Sequence, residues 1–360
     1  MSMTEIPIAA TADAMDRVTS ALGAARLVAL DTEFVREKTY YPQLCLIQIA
    51  TGDLIACVDC LAECDRNAFL AALMSDDRIW VLHSARQDLE VVFNLTGRLP
   101  ATLIDTQIAG ALLGMAPQTS LQKLLETTLG VTIEKDQTRA DWSARPLPAA
   151  ALAYALNDVR YLLEAWDALR ARLVEAGRLD WLEEECRRLL EADPAATAAA
   201  VLERTRGIGS LSIPQLKAAF ALVQWREQRA STSDRPRRWI MADDVLVRLA
   251  RARPQDAAAL RSIEGLPARL AEKSGKALIA TIAESEALAL PDGLAAATDQ
   301  RRPDKSRLKA LQTAVRQKAE SLGIAAELLA TRRDIAAIEA GNPPTWLREG
   351  WRADLLADLL

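Results

Sequence analysis

Asp31 and Glu33 stand two positions apart at the end of an apolar run, Leu27-Val28-Ala29-Leu30. The run reads as a buried strand. Residues at i and i+2 of a strand share a face, roughly 6.6 Å apart, so the two carboxylates project side by side. Like charges held that close repel, and ionised carboxylates resist burial. They call for a positive partner. A divalent cation fits best, because carboxylate oxygens suit hard ions such as Mg²⁺ or Mn²⁺. Taken alone, the pair also reads as two solvated acids at a strand end.

Two more acids can complete a set. Asp88 lies on the first turns of a helix that leaves the buried strand Ile79-Trp80-Val81-Leu82-His83, near the sheet's edge, where α/β sites commonly form. Tyr154 and Asp158 are i and i+4 on another helix, so both project from one helical face. Four carboxylates and a tyrosine, drawn from one strand and two helices, suit a two-metal site. Two ions about 3.5–4 Å apart would activate a water and stabilise the leaving oxygen of a phosphodiester. Plainer readings stay open for each. Asp88 suits the positive end of a helix dipole, Asp158 can pair with Arg160, and Tyr154 can be core packing with a satisfied hydroxyl. The only histidine, His83, reads as a strand-end residue rather than a base.

The elements that would position these groups are legible by periodicity. A helix over 11–25 carries Ala14, Met15, Val18 and Leu22 at helical spacing. Strands at 27–34, 44–50 and 54–59, joined by short links, predict an antiparallel meander. Short helices are expected at 67–74, at 85–95 with Ser84 as cap, at 107–113 capped by Asp105 or Thr106, and at 120–129, stopping at Gly130. A strand is expected at 102–105, an irregular polar loop over 136–148, and one long helix from Pro148 to about Ala176. Helices that alternate with short strands give an α/β sandwich around a mixed sheet. Asp193-Pro194-Ala195-Ala196 and Gly207-Ile208-Gly209-Ser210 punctuate the join to a half with no strand pattern. That half divides at Pro291-Asp292-Gly293. The domains expected are therefore 1–200, 205–290 and 291–360.

Half of the 360 residues are hydrophobic and 26% are charged, an ordinary globular composition. No apolar run approaches the ~18–20 residues of a membrane span, and the first residues lack a basic segment followed by an apolar core. A cytoplasmic address and no membrane partner are the expectations. Five cysteines, an odd number, read as reduced thiols. Cys57, Cys60 and Cys64 lack the second ligand pair of a closed zinc site. The net charge of −5 hides a division: residues 1–200 carry 18 basic and 29 acidic groups, residues 201–360 carry 26 and 20. An acidic half could collect metal and a basic half could hold a polyanion.

At this point the sequence resembles a family. Asp31-Thr32-Glu33-Phe34 with Lys38-Thr39-Tyr40-Tyr41-Pro42 and Leu44-Cys45-Leu46-Ile47-Gln48, Leu82-His83 with Asp88-Leu89, and Arg145-Pro146-Leu147 leading to Tyr154-Ala155 and Asp158-Val159-Arg160-Tyr161-Leu162 are similar to the three exonuclease motifs of ribonuclease D. Ribonuclease D belongs to the DEDD superfamily, and the tyrosine four residues before the last acid points to its tyrosine subgroup. Trp225-Arg226, Asp234-Arg235-Pro236-Arg237-Arg238, Asp243-Asp244-Val245-Leu246 and Arg253-Pro254 resemble the helicase-and-RNase-D C-terminal (HRDC) domain. Gly350-Trp351-Arg352 with Leu355-Leu356 resembles the tail of a second, divergent copy.

The resemblance implies an α/β, ribonuclease H-like exonuclease domain with a mixed sheet, followed by two all-α HRDC-like bundles. It implies Asp31, Glu33, Asp88 and Asp158 as ligands of two Mg²⁺ or Mn²⁺ ions, with Tyr154 beside the nucleophilic water. It implies a 3′→5′ exoribonuclease that releases nucleoside 5′-monophosphates and trims tRNA precursor 3′ ends, with no organic cofactor. Arg235, Arg237 and Arg238 form a basic cluster beside Trp239; arginines contact phosphates and indole can stack on a base. A solvated loop with Trp239 in the bundle core is the other reading. Arg301-Arg302 with Lys305, Arg307 and Lys309 reads as a charged helix face. A DNA 3′→5′ exonuclease, an inactive nucleic-acid-binding scaffold, and a helical half that docks a protein partner remain the alternatives.

Overall fold

A computed structural model describes residues 3–133, 140–194, 197–291, 294 and 304–360. The start of the expected polar loop (136–139), Ala195-Ala196, Asp292-Gly293 and the basic pair Arg301-Arg302 lie outside the described residues. The chain divides into two compact units. One holds Met1–Val35, Gln43–Pro194 and Pro303–Leu360; the other holds Arg36–Pro42 and Ala195–Arg302.

The first unit is built on six strands: β1 (Thr4–Ala9), β2 (Leu27–Val35), β3 (Gln43–Ala50), β4 (Leu54–Asp59), β5 (Ile79–Leu82) and β6 (Thr102–Asp105). Their order is β1-β4-β3-β2-β5-β6. β2, β3 and β4 form the antiparallel meander that the sequence predicts, and β5 and β6 extend it in parallel from β2. β1 joins β4 in parallel at the far edge. Periodicity did not reveal β1. It contains Pro7, which lacks a ladder donor and suits an edge strand alone.

Eight helices belong to this sheet: α1 (Ala12–Ala24), α2 (Asn67–Leu73), α3 (Arg86–Thr96), α4 (Thr106–Leu112), α5 (Leu121–Leu129), α6 (Ala149–Arg160), α7 (Leu162–Glu175) and α8 (Leu179–Glu191). The two faces bury different cores. Val28, Leu30, Ile47, Ile49 and Val58 pack with α1, α3, α4 and α7. Ala29, Leu46, Ala50, Ile55 and Cys57 pack with Trp142, Leu147 and the α6 residues Ala151, Ala155 and Val159. The single helix expected over 148–176 is two. Tyr161 leaves the helical region (φ −108°, ψ 0°), and past it Ala165, Trp166, Leu169 and Leu173 enter the first core rather than the second. Packing against two cores breaks a segment that propensity alone would continue.

Ser84 does not cap α3. It adopts a left-handed φ of 65°, and Asp105 caps α4 and also holds the turn that leads into α3. One Asp105 oxygen accepts from the backbone N–H of Ser84, Gln107 and Ile108 (3.1, 2.8 and 3.4 Å), the other from Ala85 (2.9 Å). The starts of α3 and α4 are thus tied to one carboxylate.

The second unit consists of helices among the described residues: α9 (Ala198–Glu203), α10 (Ile213–Thr232), α11 (Arg237–Ile240), α12 (Asp243–Ala252), α13 (Ala257–Arg261) and α14 (Ala268–Glu284). They surround a core that includes Leu216, Leu222, Leu246 and Leu278. Four further helices, α15 (Lys305–Leu322), α16 (Ala326–Leu329), α17 (Arg332–Glu339) and α18 (Gly350–Leu356), share a small core of Leu311, Val315, Leu329, Ile338 and Leu356. This segment groups with the first unit, and α8 is where it docks. Arg352 is 2% exposed, pairs with the buried carboxylate of Glu185, and donates twice to the Leu328 carbonyl (2.8 and 2.6 Å). Its guanidinium lies 4.1 and 4.7 Å from the ring centroids of Trp351 and Trp346. Trp351 stacks on Trp181 at 4.4 Å and donates its indole N–H to Glu185 (3.1 Å). No described helix is long and apolar enough to cross a membrane.

Candidate active site

β2 carries Asp31 and Glu33 on the face that α6 covers, since their register parity is that of Ala29, a member of that core. α6 brings Tyr154 and Asp158 to the same face. Carboxylate oxygens of Asp31, Glu33 and Asp158 all lie within 4.8 Å of one another, and each residue is half-buried. Among the described residues, this is the one group of three or more potential metal ligands that meets that spacing. Cys57, Cys60 and Cys64 form no such group, and all five cysteines are free.

Asp88 is buried on the first turn of α3 and is not a member of that group of three, though it lies near enough for its charge and that of Asp31 to repel. Its Oδ1 accepts a 2.6 Å hydrogen bond from the Thr32 hydroxyl. Thr32 points to the opposite face from its two acidic neighbours, so the alternation of β2 aims two acids at one place and a holding group for a third at another. The motif reading does not single out Thr32. Its signal is a hydroxyl between two acids on a strand, where an apolar residue would be expected.

Burial and mutual repulsion dominate the electrostatics. Burial, then the charge of Asp158, pushes Asp31 up to about 8. Burial, then Asp31, Asp158 and Asp88, pushes Glu33 up to about 9. Burial raises Asp158 to about 7 against the lowering hydrogen bond with Tyr154. Asp88 is pushed well above the ordinary carboxylate range by burial and by Asp31. Burial, then the neighbouring carboxylates, also raises the Tyr154 phenol, so it stays a proton donor. Four acids that hold their protons this tightly lack positive charge. Hard oxygen donors clustered at this spacing fit divalent ions, which would restore the ionised forms.

The loop before α6 is anchored from the sheet. Arg145 makes a bidentate pair with Asp59 (2.8 and 2.6 Å) and donates to the carbonyls of Trp142 and Cys45. Trp142, fixed in this way, lies 6.3 Å from the Tyr154 ring, centroid to centroid. His83 is a structural residue: Nδ1 contacts the Thr106 hydroxyl (3.0 Å) and Nε2 the Thr119 carbonyl (2.9 Å), and burial lowers its basicity.

The three arginines of the basic cluster in the second unit differ. Arg237 is engaged: its guanidinium pairs with Glu227 at 3.0 Å and lies 5.8 Å over the Tyr40 ring. Glu227 in turn accepts from the Tyr40 hydroxyl (3.2 Å), and Asp234 accepts from the Tyr40 and Tyr41 backbone (3.0 and 3.1 Å). Arg235 and Arg238 are exposed. Trp239 is not in the bundle core; it is 63% exposed. A cleft of about 540 Å³ opens beside them, lined by Trp225, Gln228, Arg229, Thr232, Ser233, Arg235 and Ile240.

Comparison with known proteins fits this geometry. A family model described as 3′–5′ exonuclease matches residues 6–174, and one for the HRDC domain matches residues 215–282. Ribonuclease D of Xanthomonas oryzae pv. oryzae is 38% identical over 353 residues, 95% of this chain and 95% of that one. The chain belongs to the ribonuclease D family. Ribonuclease D of Acidiphilium cryptum is 35% identical and covers 97% of the chain, which spans 90% of that relative. The crystal structure of Escherichia coli RNase D, described as an exoribonuclease involved in structured RNA processing, superposes with a TM-score of 0.81. It is 31% identical, and the match covers 99% of this chain and 97% of that one. The catalytic core of RRP6 from Trypanosoma brucei matches 80% of this chain and 81% of its own at a TM-score of 0.57, with 26% identity. As a ribonuclease D family member, the chain is a 3′→5′ exoribonuclease and a hydrolase. The exonuclease family implies divalent metal, and the acidic cluster is the candidate place for it.

Proposed function

We propose that this exoribonuclease removes 3′-terminal nucleotides by a two-metal mechanism, with Asp31, Glu33, Asp88 and Asp158 as ligands. The observation that carries the reading is the convergence of three half-buried carboxylates within 4.8 Å beside Tyr154. When bound, two Mg²⁺ or Mn²⁺ ions supply positive charge that offsets the charge building on the phosphoryl oxygens. The four acids hold those ions, and Thr32 fixes the angle of Asp88. Tyr154, steadied by Asp158 and Trp142, hydrogen-bonds the attacking water and sets its line of approach. Replacing Tyr154 by Phe keeps the ring packing and removes that bond. We expect kcat to fall by about 10²-fold with KM little changed, and Mn²⁺ affinity measured without RNA to stay as in the parent.

The natural substrates we propose are tRNA precursors, in the cytoplasm. The HRDC match supports RNA contact from the second unit. We read residues 1–200, 205–290 and 291–360 as three evolutionary domains, the last a divergent HRDC-like copy; the separate small core of residues 311–356 supports this. Of the basic cluster, exposed Arg235 and Arg238 contact phosphates, while Arg237 holds Glu227 and Tyr40. Replacing Arg235 or Arg238 by Ala should weaken single-stranded RNA binding and reduce its salt slope by about 0.7 for each phosphate that is no longer neutralised. Replacing Arg237 by Ala should lower thermal stability instead. A fluorescence anisotropy titration at several salt concentrations separates the two.

The central test is a time course on 5′-labelled single-stranded RNA and its DNA twin, with Mg²⁺ or Mn²⁺ and then with EDTA. A ladder shortening from the 3′ end on RNA, abolished by EDTA, is expected. Equal ladders on both substrates would mean that the sugar is not read. Cleavage that survives EDTA would sink the metal mechanism.

A further inference from the structure

Asp31, Gln48 and Cys57 stand side by side across three strands. Asp31 on β2 pairs with Gln48 on β3, and Gln48 pairs with Cys57 on β4. Residues directly opposite on antiparallel strands point to one face, with Cβ atoms roughly 4.5–5.5 Å apart. That face is the one covered by α6. Gln48 is 0% exposed, and neither its Oε1 nor its Nε2 has a hydrogen-bond partner. Buried amides are almost always paired, and an orphaned one destabilises the fold. An apolar side chain of similar volume would fill the same space without that penalty. The orphaned amide therefore points to a partner group that accepts its bond in the working state.

We infer that Gln48 is a positioning residue for the metal centre: its Nε2 donates to the Asp31 carboxylate when the ions are bound, and its Oε1 accepts from the Cys57 thiol. The donor and acceptor ends of one amide then match the row across the sheet. The ends are chemically distinct, so a carboxylate on one side and a thiol on the other fix which way the amide turns. Bonding from behind orients a ligand carboxylate and stiffens the site. Histidine-ligated centres use a second ring nitrogen for this purpose; here the support comes from the adjacent strand.

The inference rests on the reading of Asp31 as a metal ligand, and the test separates the two. Mn²⁺ affinity is measured by calorimetry on the full chain without RNA, next to the thermal midpoint of the metal-free protein. Gln48→Met removes both polar ends at similar volume. Its metal-free midpoint should equal or exceed that of the parent, while Mn²⁺ affinity falls by about 10–100-fold. Gln48→Asn keeps the amide but shortens its reach, and should also weaken Mn²⁺ binding. Affinity in Gln48→Met within about twofold of the parent, far less than an outer-shell bond is worth, would overturn the inference. So would weakened binding accompanied by a lowered metal-free midpoint in both variants, which is plain packing. Asp31→Asn is the control. If it binds Mn²⁺ like the parent, the reading of Asp31 itself falls; if it loses Mn²⁺ and Gln48→Met does not, only the role of Gln48 falls.

Discussion

Asp31→Asn should abolish RNA cleavage and, at the same time, make the metal-free protein harder to melt above neutral pH. On the proposed mechanism, the first effect follows from losing a charged metal ligand. A transition-state loss of about 4 kcal/mol corresponds to roughly 10³-fold in kcat. The second follows from proton linkage. In the folded, metal-free state Asp31 holds its proton up to about 8, Glu33 up to about 9 and Asp158 up to about 7. The unfolded chain releases the same protons near the ordinary carboxylate range, about 4. The folded state therefore binds more protons between those limits. The contribution of these groups to stability is complete below about pH 4 and is lost as pH rises through 7 to 9. An amide at position 31 removes one of the charges that repel there. Melting curves from pH 5 to 9 in EDTA should show the parent losing stability with rising pH more steeply than the variant. Added Mn²⁺ should restore the parent at pH 8 and leave the variant unmoved. A variant that melts in parallel with the parent across that range would show that the acids do not strain the metal-free fold.

Arg352→Ala should cost about 3–5 kcal/mol, because it strands a carboxylate that is 8% exposed. Glu185 would keep only the Trp351 indole and the more distant Arg188 as partners. The Leu328 carbonyl would lose both of its guanidinium donors. Replacing both members of the pair by methionine should regain most of the loss, since a hydrophobic pair of similar volume avoids the buried charge. Urea denaturation followed by tryptophan fluorescence measures this directly, as Trp181, Trp346 and Trp351 surround the pair. A single variant within about 1 kcal/mol of the parent, the range of a surface ion pair, would show that the bridge does not hold this segment.

The centre of the fold was legible because its signals are local. Period-two spacing put Asp31 and Glu33 on one face, and i, i+4 spacing put Tyr154 next to Asp158; both relations stand in the structure. The β2–β3–β4 meander was legible from three apolar runs with short links. What escaped depends on partners distant in sequence. Nothing local marks the break at Tyr161, which answers to two cores. Arg237 reads as one of three equal charges until Glu227, ten residues earlier, is seen to hold it. Trp239 has the type of a core residue but no room in the core. Gln48, the polar residue inside the otherwise apolar run 44–50, was visible in the sequence. Its meaning appears only with the strands on either side in register.

The pairing of Arg352 with Glu185 has a temporal side. The two are separated by 167 residues of chain. On a ribosome adding about 5–20 residues per second, roughly ten to thirty seconds pass between the synthesis of Glu185 and that of its partner. Throughout that interval Glu185 has only Arg188 of its own helix as a charged partner, and the face of Trp181 on which Trp351 stacks is bare. The nascent exonuclease sheet can form, but one of its flanks stays open until translation has passed the whole helical insertion. A chain released early would carry the same open flank, which is the kind of exposed apolar surface that chaperones and proteases recognise.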